Sequence, residues 1–495
     1  MEGARKLGKA IFGSRRRAWM MGAFVLSTLI AAVCLPGKAD AAWLRWLFTG
    51  LILLLGLAAI RFATGQWNLA RSFLIIALLF GIIMAFVTPA MSGPDEATHF
   101  ARAYATSEGQ LFPHGKVKTP ADFFLTSRKL GMETQTGNAF YETVQGLGWD
   151  STDISATGGY SFLGYIPMAA GILIAKLFGT SAIGYLYMGR IVNLIAYALL
   201  AWAAIRITPK LKATFFITAL LPMPIYLAAN FSIDGILLGL VLVSAALFIK
   251  LWNAEDGSAR IKDMILLSIP ILLAAVVKFF FIGPFLLLIV PRRVFKDRKG
   301  AISRYWLFAL LLAITIAWQL YAMRMETART PAVPGADAGA QIAYILSHPL
   351  QYLRMLGETF ISRLNNYVMM LGTVGKLNLT LNIIATASPI LAVLIYALDG
   401  MERELNRGRK AAILALILVM TAFIFTALYL DWTPVGARVA EGVQGRYFLP
   451  LLPLIALLIH IRSVKIDKEK LGHIAQAGGF FIIAGTAVMM VMSYY

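Results

Sequence analysis

The chain has 495 residues, of which 59% are hydrophobic and only 14% charged, and its formal net charge is +20. A soluble domain carries about 25% charged residues, so this composition excludes an ordinary soluble protein and indicates a polytopic membrane protein. The basic residues lie mostly in short loops, as cytoplasmic anchors do, so the charge does not indicate a nucleic-acid partner. Cys34 is the only cysteine, which excludes a disulfide framework and a cysteine metal cluster.

Apolar runs of about 20 residues recur along the chain, and each is long enough to cross about 30 Å of hydrocarbon. The first run follows a basic stretch and precedes "ADA", a pattern similar to a signal peptide. Because more runs follow at once, we expect an uncleaved first span. The predicted fold is an all-α integral membrane protein with about thirteen transmembrane helices, at approximately 19–36, 43–61, 71–90, 183–205, 213–230, 234–251, 263–277, 279–291, 303–322, 378–398, 411–430, 447–461 and 474–493.

Loop charge predicts the orientation of these spans. With the N-terminus in the cytoplasm, the basic N-terminal stretch and the basic segments 206–212, 292–304, 403–410 and 462–470 all fall inside, as the positive-inside rule expects. The long segment 91–160 then falls outside, where it carries more acidic than basic residues.

Two further stretches are expected to lie at the outer interface of the membrane. Counting the run from Gly159 to Thr180 as a span would reverse the charge pattern, so we predict an interfacial helix with Tyr160 and Tyr165 at headgroup depth. The segment 343–372 is amphipathic and predicts a second one. The chain therefore divides into N-terminal spans (1–90), an outer loop with an acidic motif and interfacial helix (91–182), a central bundle (183–322), an outer loop with an amphipathic helix (323–377) and C-terminal spans (378–495).

The stretch "GPDEATHFARAYATSEG" gathers ionisable residues where the third span ends. In a helix, Asp95, His99 and Arg102 follow at i, i+4 and i+7, while Glu96 and His99 are three apart, so all four share one face. A carboxylate beside lipid can act as a general base, which makes Asp95 and Glu96 candidate catalytic residues. Asp95 also suits a helix cap. Two ligands, Glu96 and His99, leave a divalent metal open but do not predict one.

Three more polar residues are predicted at the same membrane level. Asp234 follows a turn between two spans, where turn chemistry alone also explains it. Lys278 separates two short apolar runs, expected to form a hairpin, and a lysine at that depth is costly unless it finds an anion. Arg446 begins a span and suits a phosphate, which a guanidinium holds with two parallel hydrogen bonds. Together with His99 and Arg102, these are the candidate substrate-binding residues.

Three landmarks resemble a large family of bacterial polytopic membrane proteins that is catalogued as a domain of unknown function. They are "GPDEATHFARAYATSEG", "HPLQYLRML" followed by "LGTVGKLNL", and "VQGRYFLPLLPL". The resemblance covers about 75 to 460. Because that family occurs among cell-envelope polysaccharide proteins, it implies a multi-pass protein of the bacterial inner membrane.

The order of elements is also similar to GT-C type glycosyltransferases, which use polyprenyl-phosphate-linked sugars. In that resemblance Asp95 matches the acid that serves as base in the first outer loop, and Lys278 matches a lysine beside the lipid phosphate. Arg446 fits by location only. In this chain two spans precede the one that leads to the acid, whereas the acid usually follows the first span.

The expected function is therefore transfer of a sugar from a polyprenyl-phosphate donor to a glycan, lipid or protein acceptor at the outer face, with no identified cofactor. The alternatives are a transporter or flippase for lipid-linked sugars and a non-catalytic partner in polysaccharide assembly. Transport predicts ionisable residues deep within spans and an inverted repeat. Few charges lie that deep, Arg190 among them, and the other candidates gather at one face.

Overall fold

The computed structural model describes most of residues 15–495. It leaves out 36–41, 64–67, 114, 121–148, 155–156, 158, 327–332, 376–378, 381, 402–404 and 462–465. Parts of several predicted features lie outside the described residues. They are the basic N-terminal stretch, the middle of the outer segment 91–160, and parts of the basic segments 403–410 and 462–470.

The described residues are mostly helical. The first half of the chain contains α1 (Arg15–Cys34), α2 (Ala42–Ala63), α3 (Leu69–Val87), α4 (Glu96–Ser107), α5 (Ile166–Leu177), α6 (Ala182–Ile207), α7 (Lys212–Ala219), α8 (Pro222–Ala228) and α9 (Asp234–Trp252). The second half contains α10 (Ile261–Lys278), α11 (Leu286–Ile289), α12 (Arg298–Glu326), α13 (Ala338–Ser347), α14 (Pro349–Met369), α15 (Asn382–Leu398), α16 (Arg407–Asp431), α17 (Leu452–Ile459) and α18 (Lys468–Tyr494).

Short 3₁₀ segments and two small sheets complete the described structure. The strands form two antiparallel pairs, which are β1 (Lys116–Pro120) with β2 (Trp149–Asp153) and β3 (Thr373–Val374) with β4 (Leu379–Thr380). The 3₁₀ segments are Phe162–Tyr165, Gly283–Phe285, Arg292–Val294, Met370–Gly372 and Gly445–Leu451.

Eight of the described helices are long and apolar enough to cross a membrane, so the protein is a multi-pass membrane protein. These eight are α1, α2, α3, α6, α9, α12, α16 and α18. The run at 159–180 forms a 3₁₀ turn and the twelve-residue α5, and 343–372 falls in α13 and α14, so both are helical but shorter or more polar than these spans.

Three predicted spans are not continuous α-helices, and one of them, 447–461, is the 3₁₀ segment Gly445–Leu451 followed by the eight-residue α17. The 213–230 run breaks between α7 and α8, because Pro222 has no backbone N–H and drives Leu221 into an extended conformation. The 279–291 run is a 3₁₀ turn followed by the four-residue α11, since Phe279 turns left-handed at φ 46° and ends α10. The predicted hairpin of two short spans around Lys278 is thus one helix followed by irregular turns.

Helix α9 lies at the centre of the protein. It is the most buried of the eight candidate spans and packs against α6 and α10, while α6 also packs against α3 and α5. By contrast, α12 and α16 are the least buried of the eight, because only 22% of the most apolar stretch of each helix is buried inside the protein. Their exposed sides are those of helices that contact lipid. The first residue of α9 and the last residue of α10 therefore meet deep in the bundle, and the site is built there.

Candidate functional site

Four ionisable side chains from distant parts of the sequence converge in one charged cluster. Asp95 precedes α4, and Asp234 is the first residue of α9. Lys278 is the last residue of α10, and Arg446 lies in the 3₁₀ segment Gly445–Leu451. Arg446 forms ion pairs with Asp95 through Nη2 and with Asp234 through Nη1, the latter at 3.6 Å. Lys278 forms an ion pair with the other oxygen of Asp234.

Local structure fixes the backbone at two members of this cluster, Asp234 and Arg446. Asn193 of α6 donates hydrogen bonds to the carbonyls of Ala228, Asn230 and Ser232 at 2.9–3.1 Å, and so holds the turn that leads into Asp234. Gly445 lies so close to Tyr367 that a Cβ would stand 2.6 Å from its carbonyl oxygen. Only glycine fits there, which fixes the backbone beside Arg446.

Asp95 occupies a strained position. Its φ is 54°, a left-handed conformation that costs energy for a residue with a side chain. It stands at the N-cap position of α4, yet its side chain makes no capping hydrogen bond and reaches Arg446 instead. Helix capping therefore does not explain why an aspartate is here. Phe279, which follows Lys278, is also left-handed, so two of the four non-glycine residues with positive φ among the described residues belong to or adjoin the cluster.

The cluster forms the polar end of a cavity of about 280 Å³. Asp234, Lys278 and Arg446 line that end together with Tyr160 and Tyr447. The opposite walls come largely from the two exposed helices α12 and α16 and are mainly apolar. They include the apolar Trp318, Ala322, Met420, Phe423, Ile424, Ala427 and Leu428 and two polar residues, Gln319 and Asp431. The cavity thus joins buried charge to an apolar surface between helices that face lipid.

The polar end keeps unused hydrogen-bonding capacity. Arg446 Nη1 and Asp234 Oδ2 are both buried and have no hydrogen-bond partner among the described residues. The ammonium of Lys278 lies 5.6 Å from the ring centre of Tyr160 and 5.2 Å from that of Tyr447, which stabilises its charge. Arg446 Nη1 and Asp234 Oδ2 lie 3.6 Å apart as an ion pair without a hydrogen bond between them, so each keeps hydrogen-bonding capacity at the edge of the cavity.

Asp95 faces outward from the same cluster. Its side chain is 60% exposed, whereas that of Asp234 is 6% exposed. Partial desolvation of the Asp95 carboxylate alone would raise its pKa. The positive charge of Arg446 and the hydrogen bond that Arg446 donates outweigh this effect and hold the pKa of Asp95 below its ordinary value. Asp95 is therefore ionised at neutral pH and reachable from solvent.

Comparison with known proteins gives one family. The family described as "Predicted membrane protein (DUF2142)" matches residues 78–455. The chain belongs to this family. No curated protein and no solved structure matches it. The matched range contains all four members of the charged cluster.

In this DUF2142 protein Glu96 lies apart from the cavity, although it adjoins Asp95. Its oxygens accept hydrogen bonds from Nε and Nη2 of Arg190, both at 2.7 Å, and from the backbone N–H groups of Gly93 at 3.1 Å and Phe231 at 3.3 Å. The two side chains are fully buried. Glu96 thus holds the start of α4 onto α6, a position that favours a structural role over the catalytic one expected from the sequence.

The other two residues of the motif also lie outside the cavity lining. His99 is buried, and its Nδ1 is 2.8 Å from the hydroxyl of Tyr165. Arg102 is buried and donates to the carbonyls of Gln110, Leu111 and Tyr160 at 3.0–3.5 Å. Through Tyr160 and Tyr165 both residues hold the segment that covers the cluster, so the geometry favours positioning over direct substrate binding.

The donor set at Glu96 and His99 does not suit a metal. Every Glu96 oxygen already accepts protein hydrogen bonds, and His99 Nδ1 is engaged with Tyr165. Within the described residues no group of three or more His, Cys, Asp and Glu side chains is arranged to hold a metal ion. Sequence reasoning did not anticipate the pairing of Glu96 with Arg190. The position of Arg190 deep within a span indicated such a pairing, since a buried guanidinium requires a carboxylate.

Proposed function

We propose that this protein is a membrane glycosyltransferase that moves a sugar from a polyprenyl-phosphate donor to a glycan, lipid or protein acceptor of the cell envelope. The observation that carries the proposal is the cavity that joins two cations, the half-buried Lys278 and the buried Arg446, to largely apolar walls on α12 and α16. A polyprenyl-phosphate sugar has the matching shape, since its phosphate carries charge and its long tail is apolar.

In this mechanism Arg446 and Lys278 hold the donor phosphate. A guanidinium binds phosphate oxygens with two parallel hydrogen bonds, and Arg446 lines the cavity with an Nη1 that makes no hydrogen bond to the described residues. Lys278 adds a second positive charge. Both cations stabilise the negative charge that grows on the phosphate as the sugar departs.

Asp95 is the proposed general base. It takes the proton from the acceptor hydroxyl, whose oxygen forms a bond to the anomeric carbon. The bond from that carbon to the phosphate oxygen breaks, and polyprenyl phosphate leaves with the electron pair, so the configuration inverts. The donor phosphate competes with Asp95 for Arg446. Donor binding therefore frees the carboxylate to act as a base.

The proposal includes a topology. The site lies at the outer face of a bacterial inner membrane, with a cytoplasmic N-terminus and about thirteen membrane crossings of the GT-C kind. Single cysteines replacing Lys118 in β1 and Gly408 in α16 test this in a Cys34→Ser background, because both positions are exposed. An impermeant maleimide should label the first and not the second in intact cells. Equal labelling would contradict the topology.

The decisive experiment uses purified protein in lipid nanodiscs with a panel of radiolabelled polyprenyl-phosphate sugars and envelope-glycan acceptors. We expect label to pass to an acceptor with wild-type protein and not with Asp95→Asn. The same donors in sealed proteoliposomes test the alternative, a transporter for lipid-linked sugars. Movement of the donor between leaflets without transfer to any acceptor would overturn the glycosyltransferase assignment.

A further inference from the structure

A second cavity, of about 590 Å³, lies at the opposite end of α9 and α16 from the charged cluster. From Asp234 to Trp252, helix α9 rises about 27 Å at 1.5 Å per residue, close to the thickness of the hydrocarbon layer. The second cavity therefore lies at the other membrane boundary. It is lined by Trp252, Asp256, Pro291, Arg292, Arg293, Asn406 and Arg409.

Arg293 lines this cavity and is held in place by hydrogen bonds. Its guanidinium donates to the carbonyl oxygens of Trp252 at 2.8 Å and Ala254 at 3.2 Å, and to Asp256 at 2.6 Å. These bonds tie the 3₁₀ segment Arg292–Val294 to the end of α9. The neighbouring Arg292 is therefore held at the rim by a rigid backbone.

Arg409 completes the cavity from a distant part of the sequence. Its guanidinium carbon lies 5.0 Å from the ring centre of Trp252, a cation–π contact that orients the group. Asn406 caps α16 by accepting a hydrogen bond from the backbone N–H of Arg409 at 3.0 Å. Arg292 and Arg409 have no carboxylate partner among the residues that the structure describes, and the only acidic residue in the lining, Asp256, is paired with Arg293.

We propose that this cavity binds the phosphate group of an anionic phospholipid in the leaflet opposite the charged cluster. Two arginines that face one space match a phosphate, which accepts parallel hydrogen bonds from each guanidinium. Basic pockets between transmembrane helices are typical sites for phosphate headgroups. Free phosphate shares this chemistry, but the cavity lies at the membrane boundary, where a lipid supplies the phosphate at high local concentration.

The competing explanation is a general electrostatic attraction between basic loops and anionic lipid. A matched variant distinguishes this diffuse attraction from a specific site. Arg292→Gln/Arg409→Gln removes two charges from the cavity. Arg298→Gln/Lys299→Gln removes two charges from the exposed start of α12, which lies on the same side of the membrane but does not line the cavity. A diffuse field predicts equal effects, whereas a site predicts a loss only in the first variant.

The experiment measures the melting temperature of purified full-length protein in neutral detergent as phosphatidylglycerol, phosphatidylcholine or inorganic phosphate is added. We expect phosphatidylglycerol to stabilise the wild type and the Arg298/Lys299 variant alike. Its apparent affinity should fall by about fivefold for each arginine removed from the cavity. Arg292→Lys/Arg409→Lys, which keeps both charges, should retain part of the affinity and shows that loss is not misfolding.

Three results would overturn the proposal. One is stabilisation by phosphatidylcholine as strong as by phosphatidylglycerol. Another is an equal loss in the Arg298/Lys299 variant, which would assign the effect to the diffuse field. The third is full stabilisation by inorganic phosphate at the same concentration, which would make the ligand a free anion. None of these measurements involves sugar transfer, so the inference stands or falls apart from the glycosyltransferase proposal.

Discussion

Glu96 and Asp95 are neighbours in the sequence, but each pairs with a different arginine, and the two clusters differ in how completely their hydrogen bonds are satisfied. Glu96 turns inward to Arg190, whose side chain donates five hydrogen bonds, to both Glu96 oxygens and to the carbonyls of Ala85, Thr88 and Pro89. Asp95 turns outward to Arg446. There, Nη1 of the guanidinium has no hydrogen-bond partner among the described residues.

The difference separates structural charge from charge that is available to a ligand. A buried polar network whose members are all satisfied specifies a conformation, while unpaired buried groups are costly and need a reason. The Glu96 cluster joins the loop after α3 to α6 and does not line the cavity at the Asp95 cluster. The Asp95 cluster faces both solvent and a cavity. We therefore expect changes in the first to affect folding and changes in the second to affect chemistry.

The largest expected effect is on folding, from Arg190→Gln. It leaves Glu96 buried without its counter-ion, and breaking a buried ion pair costs about 3–5 kcal/mol. We expect little folded protein, measured as monodisperse yield in size-exclusion chromatography. Arg206→Gln, at the exposed end of the same helix, is the control and should fold normally. Wild-type yield and melting temperature for Arg190→Gln would show that the first cluster is not structural.

The next effect is on catalysis, from Asp95→Asn. Asparagine keeps the shape of the side chain and can still accept a hydrogen bond from Arg446, but it is not a base. General-base catalysis contributes about 10²–10⁴ in rate, so turnover should fall by that factor while folding and donor binding persist. Measurement of single-turnover transfer together with donor affinity checks both parts. A folded Asp95→Asn protein with wild-type turnover removes Asp95 as the base.

The sequence predicted which charged residues group together better than it predicted their individual contacts. Hydropathy and loop charge predicted one level for Asp95, Asp234, Lys278 and Arg446, and the structure brings these four side chains together. The sequence could not show that Asp95 and Glu96 point to different partners, because a helical pattern predicts a shared face but not the left-handed turn at Asp95. Nor could the sequence show that 279–291 forms irregular turns instead of a continuous helix, since its composition remains apolar.

The cavity itself depends on tertiary structure. Tyr447 adjoins Arg446 in sequence, but its contact with Lys278 requires the packing of α9 between α10 and the Gly445–Leu451 segment. The walls from α12 and α16 are ordinary apolar helix sequence. No periodicity distinguishes a residue that faces lipid from one that lines a cavity open to lipid, so Trp318 and Phe423 carried no functional signal.

A smaller effect concerns pH and the residues that cover the cluster. Burial lowers the pKa of His99 to about 4, from an ordinary value of 6.5. Between these values the unfolded chain binds a proton that the folded protein excludes, so stability should fall as pH drops from 6.5 to 4. The loss is at most about 3 kcal/mol for such a shift. The pKa of Asp95 is already below its ordinary value of 3.8, so Asp95 titrates below this window.

Melting temperature against pH measures that loss. His99→Gln should flatten the curve between pH 6.5 and 4, because glutamine does not titrate. His348→Gln, which removes an exposed histidine at the start of α14, is the control and should keep the wild-type slope. If the slopes of the two variants are equal, the acid sensitivity comes from other groups.

The smallest effect is on donor affinity, from Lys278, and it tests whether the second cluster binds phosphate. A charge-assisted hydrogen bond contributes about 1.5–3 kcal/mol, so Lys278→Ala should weaken donor binding by about 10- to 150-fold and leave acceptor binding nearly unchanged. Lys278→Arg should keep part of the affinity.

Because Lys278→Ala also leaves Asp234 without its lysine, Lys278→Met/Asp234→Asn is the matched variant. It restores neutrality but offers no cation, so it should fold and still bind donor weakly. Equilibrium binding of a polyprenyl phosphate without its sugar isolates the phosphate contact. Unchanged affinity in both Lys278→Ala and Arg446→Ala would mean that the open hydrogen-bonding groups of this cluster serve another ligand.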